Sequence, residues 1–98
     1  MKRFEIGVKN NGIYNELIYL NINDTTYTTE TLDKEVVDLV TSLSYVDESD
    51  MYNEETYEGI SYMLGYETVL TALNKIHNLG HDLIPQYKLR RMYMGMYR

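Results

Sequence analysis

His77 and His81 stand four residues apart, with Asp82 next to the second, and form this chain's nearest approach to a metal-binding pattern. That spacing puts two imidazoles on one helical face, where they can ligate zinc with a carboxylate as third ligand. Gly80 lies between them and is a natural helix stop, and Asn78 occupies the position where a zinc protease carries its Glu. The pair therefore reads as one histidine at a helix end and one on the surface, and no metal or cofactor is assigned. Nucleophilic catalysis needs a Ser or Thr held against a histidine that a carboxylate orients. Ser42, Ser44, Ser49 and Ser61 lie in plain helical or loop sequence, and none stands in a Gly-x-Ser-x-Gly turn. A glycosidase-like pair can be drawn from Glu54 and Glu58, but acids on one helix face are ordinarily a solvated surface. The six glycines form no phosphate-cradling loop. The chain is read as a protein without catalytic residues.

Charge is the more informative feature. Between Glu16 and Glu67 the sequence carries thirteen carboxylates and a single cation, Lys34, so this stretch holds −12 in a chain whose total is −6. The two ends are basic, with Lys2, Arg3 and Lys9 on one side and Lys75, Lys88, Arg90, Arg91 and Arg98 on the other. The sharpest run is Asp47, Glu48, Asp50, Glu54, Glu55 and Glu58, interrupted by Met51, Tyr52 and Tyr57. Its plain reading is a solvated loop and helix start, favoured by the positive end of the helix dipole. Its functional reading is a carboxylate substitute for phosphates. A groove lined with Lys and Arg for nucleic acid has a strongly positive potential, and a rigid acidic face is steered into it. Exposed charge pairs yield only about 0–1 kcal/mol each, so the interspersed Tyr and Met are expected to supply desolvated contact area. The candidate partner-binding residues are Asp47, Glu48, Asp50, Tyr52, Glu54, Glu55, Tyr57 and Glu58. A second candidate surface is the basic tail, Lys88, Arg90, Arg91, Tyr93 and Tyr97. Its cations and rings could track a polynucleotide, but the acidic body repels the same polyanion, and a clasp onto the acidic middle is the simpler role.

These residues must be positioned by a short list of elements. Phe4, Ile6 and Val8 alternate with polar residues, a second apolar run covers 13–22, and Asn10-Asn11-Gly12 lies between them. That pattern predicts an antiparallel β-hairpin over about 2–9 and 13–22. Residues 24–31 are threonine-rich and read as an extended connection, with room for a short strand near Tyr27. A helix over about 31–46 follows, capped by Thr29 or Thr31, with an apolar face from Leu32 to Val46. A further helical pattern over about 54–79 does not hold one direction. Tyr57, Ile60, Met63 and Leu64 cluster on one side, and Tyr66, Val69, Leu70, Leu73 and Ile76 well over 90° around, at 100° per residue. A break near 59–65 explains the change; one straight helix buried on most sides is the alternative. The segment 86–97 reads as a helix with Pro85 in its first turn, against a competing strand alternation. The whole is an α+β fold of one domain, 1–98, with a hairpin packed against two or three helices.

No cysteine is present, which suits a reducing cytoplasm, and no apolar stretch approaches the roughly 20 residues that a membrane-spanning helix needs. Eleven tyrosines stand against one Phe and no Trp. About half of these rings are expected in the core and the rest on contact surfaces whose outer edge stays wet. In size, acidity, lack of cysteine and abundance of tyrosine, the chain resembles the small phage and mobile-element inhibitors of host defence, including anti-CRISPR proteins and DNA mimics. The resemblance is compositional and carries no residue roles. It implies a cytoplasmic inhibitor in a bacterial or archaeal host, blocking a basic surface of a nucleic-acid-handling protein such as a CRISPR effector or nuclease. The competing expectation is a self-assembling structural or regulatory protein, in which the basic tail of one copy docks on the acidic middle of another.

Overall fold

The computed structural model describes residues 3–85, 88, 89 and 91. Its first elements are three strands, β1 (Phe4–Asn10), β2 (Asn15–Ile22) and β3 (Thr25–Thr28), joined as an antiparallel sheet in the order β1-β2-β3. The predicted hairpin is present, and its turn is a network of asparagines. Asn10 Oδ1 accepts from Gly12 N at 2.8 Å, Asn11 Oδ1 accepts from Ile13 N and Tyr14 N, and Gly12 takes a φ of 94°. The second strand begins at Asn15 because Ile13 and Tyr14 belong to this turn.

The third strand is firmer than the sequence suggests. Asn23 and Asp24 both have positive φ, 51° and 72°, which makes a two-residue hairpin turn that Asn and Asp tolerate well. Thr25–Thr28 then pairs back along β2 instead of running as a free connection. A bulge shifts the register between Gly7 and Val8, so that Gly7 faces Tyr19 and Val8 faces Leu17. The extra residue, Ile18, lets Leu17, Leu20 and Ile22 all point into the core although strict alternation would separate the first two. At Gly7 a Cβ would lie 1.9 Å from the Tyr19 ring, which crosses β1 there and donates its hydroxyl to Glu5 Oε1 at 3.0 Å.

The sheet packs against three helices, an α+β fold: α1 (Lys34–Leu43), α2 (Glu54–Leu64) and α3 (Tyr66–Asn78), with a short 3-10 turn, Glu48–Tyr52, before α2. α1 is shorter than the predicted 31–46. Thr31 does not cap it, because its hydroxyl accepts from Thr28 N and donates to Thr28 O, closing a tight turn of its own. Asp33 takes the cap position, and its carboxylate pairs with Lys75 at 3.0 Å. The predicted break falls at Gly65, whose φ of 92° and ψ of 142° no helix accommodates. α3 ends as expected before Gly80. Gly80 N donates to His77 O and His81 N to Ile76 O, with Gly80 at φ 111°, the reversal that glycine permits at a helix end.

α1 packs on β2 and on α3, and α2 on α3. The core they enclose is largely aliphatic: Leu20 and Ile22 from the sheet, Val36, Leu39, Val40 and Leu43 from α1, Val69 and Ile76 from α3, all nearly inaccessible. Each such side chain contributes roughly 1.5–3 kcal/mol relative to exposure. Leu83, Ile84 and Leu89 close it from the chain's end. Lys88, Leu89 and Arg91 are helical, with Lys88 N and Leu89 N donating to Pro85 O, and the rest of 86–97 lies outside the described residues. Among the described residues no helix is long and apolar enough to cross a membrane.

Candidate functional site

The acidic run occupies the 3-10 turn and the first turns of α2, and both are held rigidly. Asn53 caps α2, its Oδ1 accepting from Glu55 N at 3.0 Å, and Glu54 and Glu55 lie where the helix dipole favours negative charge. Met51 turns inward and is buried. The Tyr57 hydroxyl donates to the Met51 carbonyl from inside the core, and Ser61 Oγ donates to Tyr57 O at 2.6 Å. At the end of the turn, the Tyr52 hydroxyl shares a 2.8 Å hydrogen bond with His81 Nε2, and the His81 ring stacks on Phe4 with centroids 4.8 Å apart. Burial, and then the nearby Glu48 carboxylate, raise the Tyr52 phenol above its ordinary range. The turn is thus pinned to α2 by Tyr57 and to the sheet through His81.

On this support Asp47, Glu48, Asp50, Glu55 and Glu58 are exposed, and among the described residues no cation lies within ion-pair distance of any of them. Glu54 is half-buried and lies 3.9 Å from the guanidinium of Arg91. Of the second candidate surface, Lys88 and Arg91 are described, while Arg90, Tyr93 and Tyr97 lie outside the described residues. Arg91 reaches Glu54 of its own chain, one contact between the basic tail and the acidic run. The −12 stretch is further reduced at its near end, where Asp24 pairs with Arg3 at 3.6 Å and Asp33 and Glu35 with Lys75. The Glu35 carboxyl is lowered by a backbone hydrogen bond first and then by Lys75. Among the described residues, Glu16, Glu30 and Glu67 are exposed as well, but the run from Asp47 to Glu58 groups five exposed carboxylates within twelve positions.

Two expected contact residues are corrected. Tyr57 is fully buried, because it belongs to the stripe with Ile60 that faces the core, and so it supports the site without touching a partner. Met51 is likewise internal. On the same helix as Tyr57, Tyr62 and Met63 are 83% and 74% exposed. Tyr62 follows Glu58 by four positions and Glu55 by seven, a spacing that stacks the three on the outer face of α2. Helical phase distinguishes Tyr62 from Tyr57, whereas Met63, which the spacing groups with the inward stripe, is nonetheless exposed. Tyr52, at the end of the 3-10 turn, and Tyr66, the first residue of α3, are exposed on either side of α2. Of the eight described tyrosines only Tyr57 is buried and Tyr27 packs partly buried against the core, fewer among the described rings than the half expected there.

The histidine pair does not form a metal site. His77 Nδ1 bonds Asp82, while His81 turns inward to Tyr52 and is buried, not on the surface as the sequence suggested. Gly80 separates their directions. Among the described residues no group of three His, Cys, Asp or Glu side chains is placed to hold an ion. Neither family models, nor curated proteins, nor solved structures give a match to this chain.

Proposed function

We propose that this protein acts by binding, without chemistry of its own, and that the outer face of the 3-10 turn and α2 occupies a basic, nucleic-acid-binding surface of another protein. The observation that carries this reading is the run of Asp47, Glu48, Asp50, Glu55 and Glu58, exposed on a pinned support and continued by Tyr62 and Met63. Clustered carboxylates supply long-range steering and a substitute for phosphate charge. The adjacent ring and thioether supply the desolvated area that exposed ion pairs lack. Fixed backbone lowers the ordering cost of association.

A protein of this design inhibits its partner by competing with the polynucleotide. The biological setting that fits is a phage or mobile element acting on a host defence protein, such as a CRISPR effector or nuclease, in the bacterial or archaeal cytoplasm. The test is capture from bacterial lysate by immobilised protein, comparing wild type with a Glu48→Lys, Glu55→Lys, Glu58→Lys variant. Wild type is expected to retain nucleic-acid-handling proteins that the variant releases. Equal retention by both would reject the charge-based reading.

A further inference from the structure

A cleft of about 530 Å³ runs along β1, within the size range of sites that hold ligands. One wall is Arg3, Phe4, Glu5 and Ile6, consecutive residues whose side chains alternate between the two sheet faces, so the cleft follows the strand's edge and not a face. β1 is the outer strand of the sheet, and an outer strand offers unpaired N–H and C=O groups along that edge. The opposite wall includes Leu43 at the end of α1 and Met51 and Glu48 of the 3-10 turn. Its lining mixes apolar side chains, Phe4, Ile6, Leu43 and Met51, with the two carboxylates Glu5 and Glu48. The cation on its wall, Arg3, is already paired with Asp24 at 3.6 Å.

We propose that this cleft receives an extended segment of a partner protein, added to β1 as a fourth strand, with apolar side chains directed to the apolar lining and Lys or Arg beside Glu5 and Glu48. Main-chain hydrogen bonds to the edge supply affinity, and the apolar lining and carboxylates of the cleft supply selectivity. Phe4 to Val8 offers an edge of roughly 14 Å at about 3.4 Å per residue, room for four or five residues of a guest strand. A second copy of this chain fits poorly, since it brings another Asp47, Glu48 and Asp50 toward the same cleft. The inference rests on the proposed function only for the sign of the partner's charge.

The test is a titration of the labelled full chain, followed by amide NMR, with an acetylated octapeptide of alternating Val and Lys. Chemical shifts are expected to move at Phe4 to Val8 and at Glu48 to Tyr52. The same peptide N-methylated at alternate residues is expected to lose binding because it cannot complete a strand. Glu48→Lys is expected to weaken the unmodified peptide about fivefold, the worth of one exposed pair. Unmoved β1 signals at millimolar peptide, or equal binding of the N-methylated peptide, would overturn the inference. Shifts confined to Glu55 and Glu58 would overturn it while leaving the acidic-face reading intact, and self-association through β1 would assign the edge to a second copy and overturn it as well.

Discussion

Replacing Tyr57 with Phe separates support from contact at the proposed site. The ring stays, but the hydroxyl that donates to the Met51 carbonyl is lost from a buried position. An acceptor left without its donor inside a protein costs about 1–3 kcal/mol. In a chain of 98 residues, each kcal/mol lowers the melting temperature by roughly 4–8 °C, so a fall of at least roughly 4 °C is expected even at the low end. The alkaline arm gives a second readout. Burial raises the Tyr57 phenol far above its ordinary range. The fold therefore favours the protonated form, and its contribution is complete below about pH 10, where the unfolded phenol is still neutral. As pH rises further, the unfolded chain ionises first and stability falls by about 1.4 kcal/mol per pH unit for this group. Tyr57→Phe removes that share of the slope, while Tyr19 and Tyr52, also raised, leave a remainder. Thermal denaturation of both proteins across pH 7–11 measures each quantity. A melting temperature unchanged by the substitution, together with an unchanged alkaline slope, would refute the placement of Tyr57 as an internal anchor.

Asn53→Ala removes the α2 cap and is expected to cost about 0.5–2 kcal/mol, read from the urea midpoint. Gly65→Ala forces a side chain onto a φ of 92° and is expected to cost more than about 1 kcal/mol, measured in the same way. Tyr62→Ser changes an exposed ring and is expected to leave stability within about 0.5 kcal/mol while reducing partner capture; reduced capture with lost stability would mean a structural role instead.

The elements legible in the sequence were those written in local code. Gly65 and the rotation of the apolar stripe located the α2–α3 break, Gly80 the end of α3, and Asn10-Asn11-Gly12 the first hairpin turn. The second turn was equally local, since Asn23-Asp24 is a turn dipeptide, but the threonines after it carry no apolar alternation to mark a paired strand. The bulge at Ile18 was not legible, because it answers to the Tyr19 ring crossing Gly7, a contact between strands. At the site, the carboxylates were found by composition and the exposed ring of Tyr62 was not. A window of adjacent residues groups Tyr57 with Glu58, whereas on a helix they point in different directions and Tyr62 shares the face of Glu58. The burial of His81 depends on Phe4 and Tyr52, far apart in sequence, and no local pattern announces it.

On the reading proposed above, the acidic face competes with polynucleotide for one surface. Once a partner is retained on the immobilised protein, adding duplex DNA measures this directly. Displacement of the partner in proportion to added duplex is the expected result, whereas a stable assembly holding protein, partner and DNA together would contradict the claim.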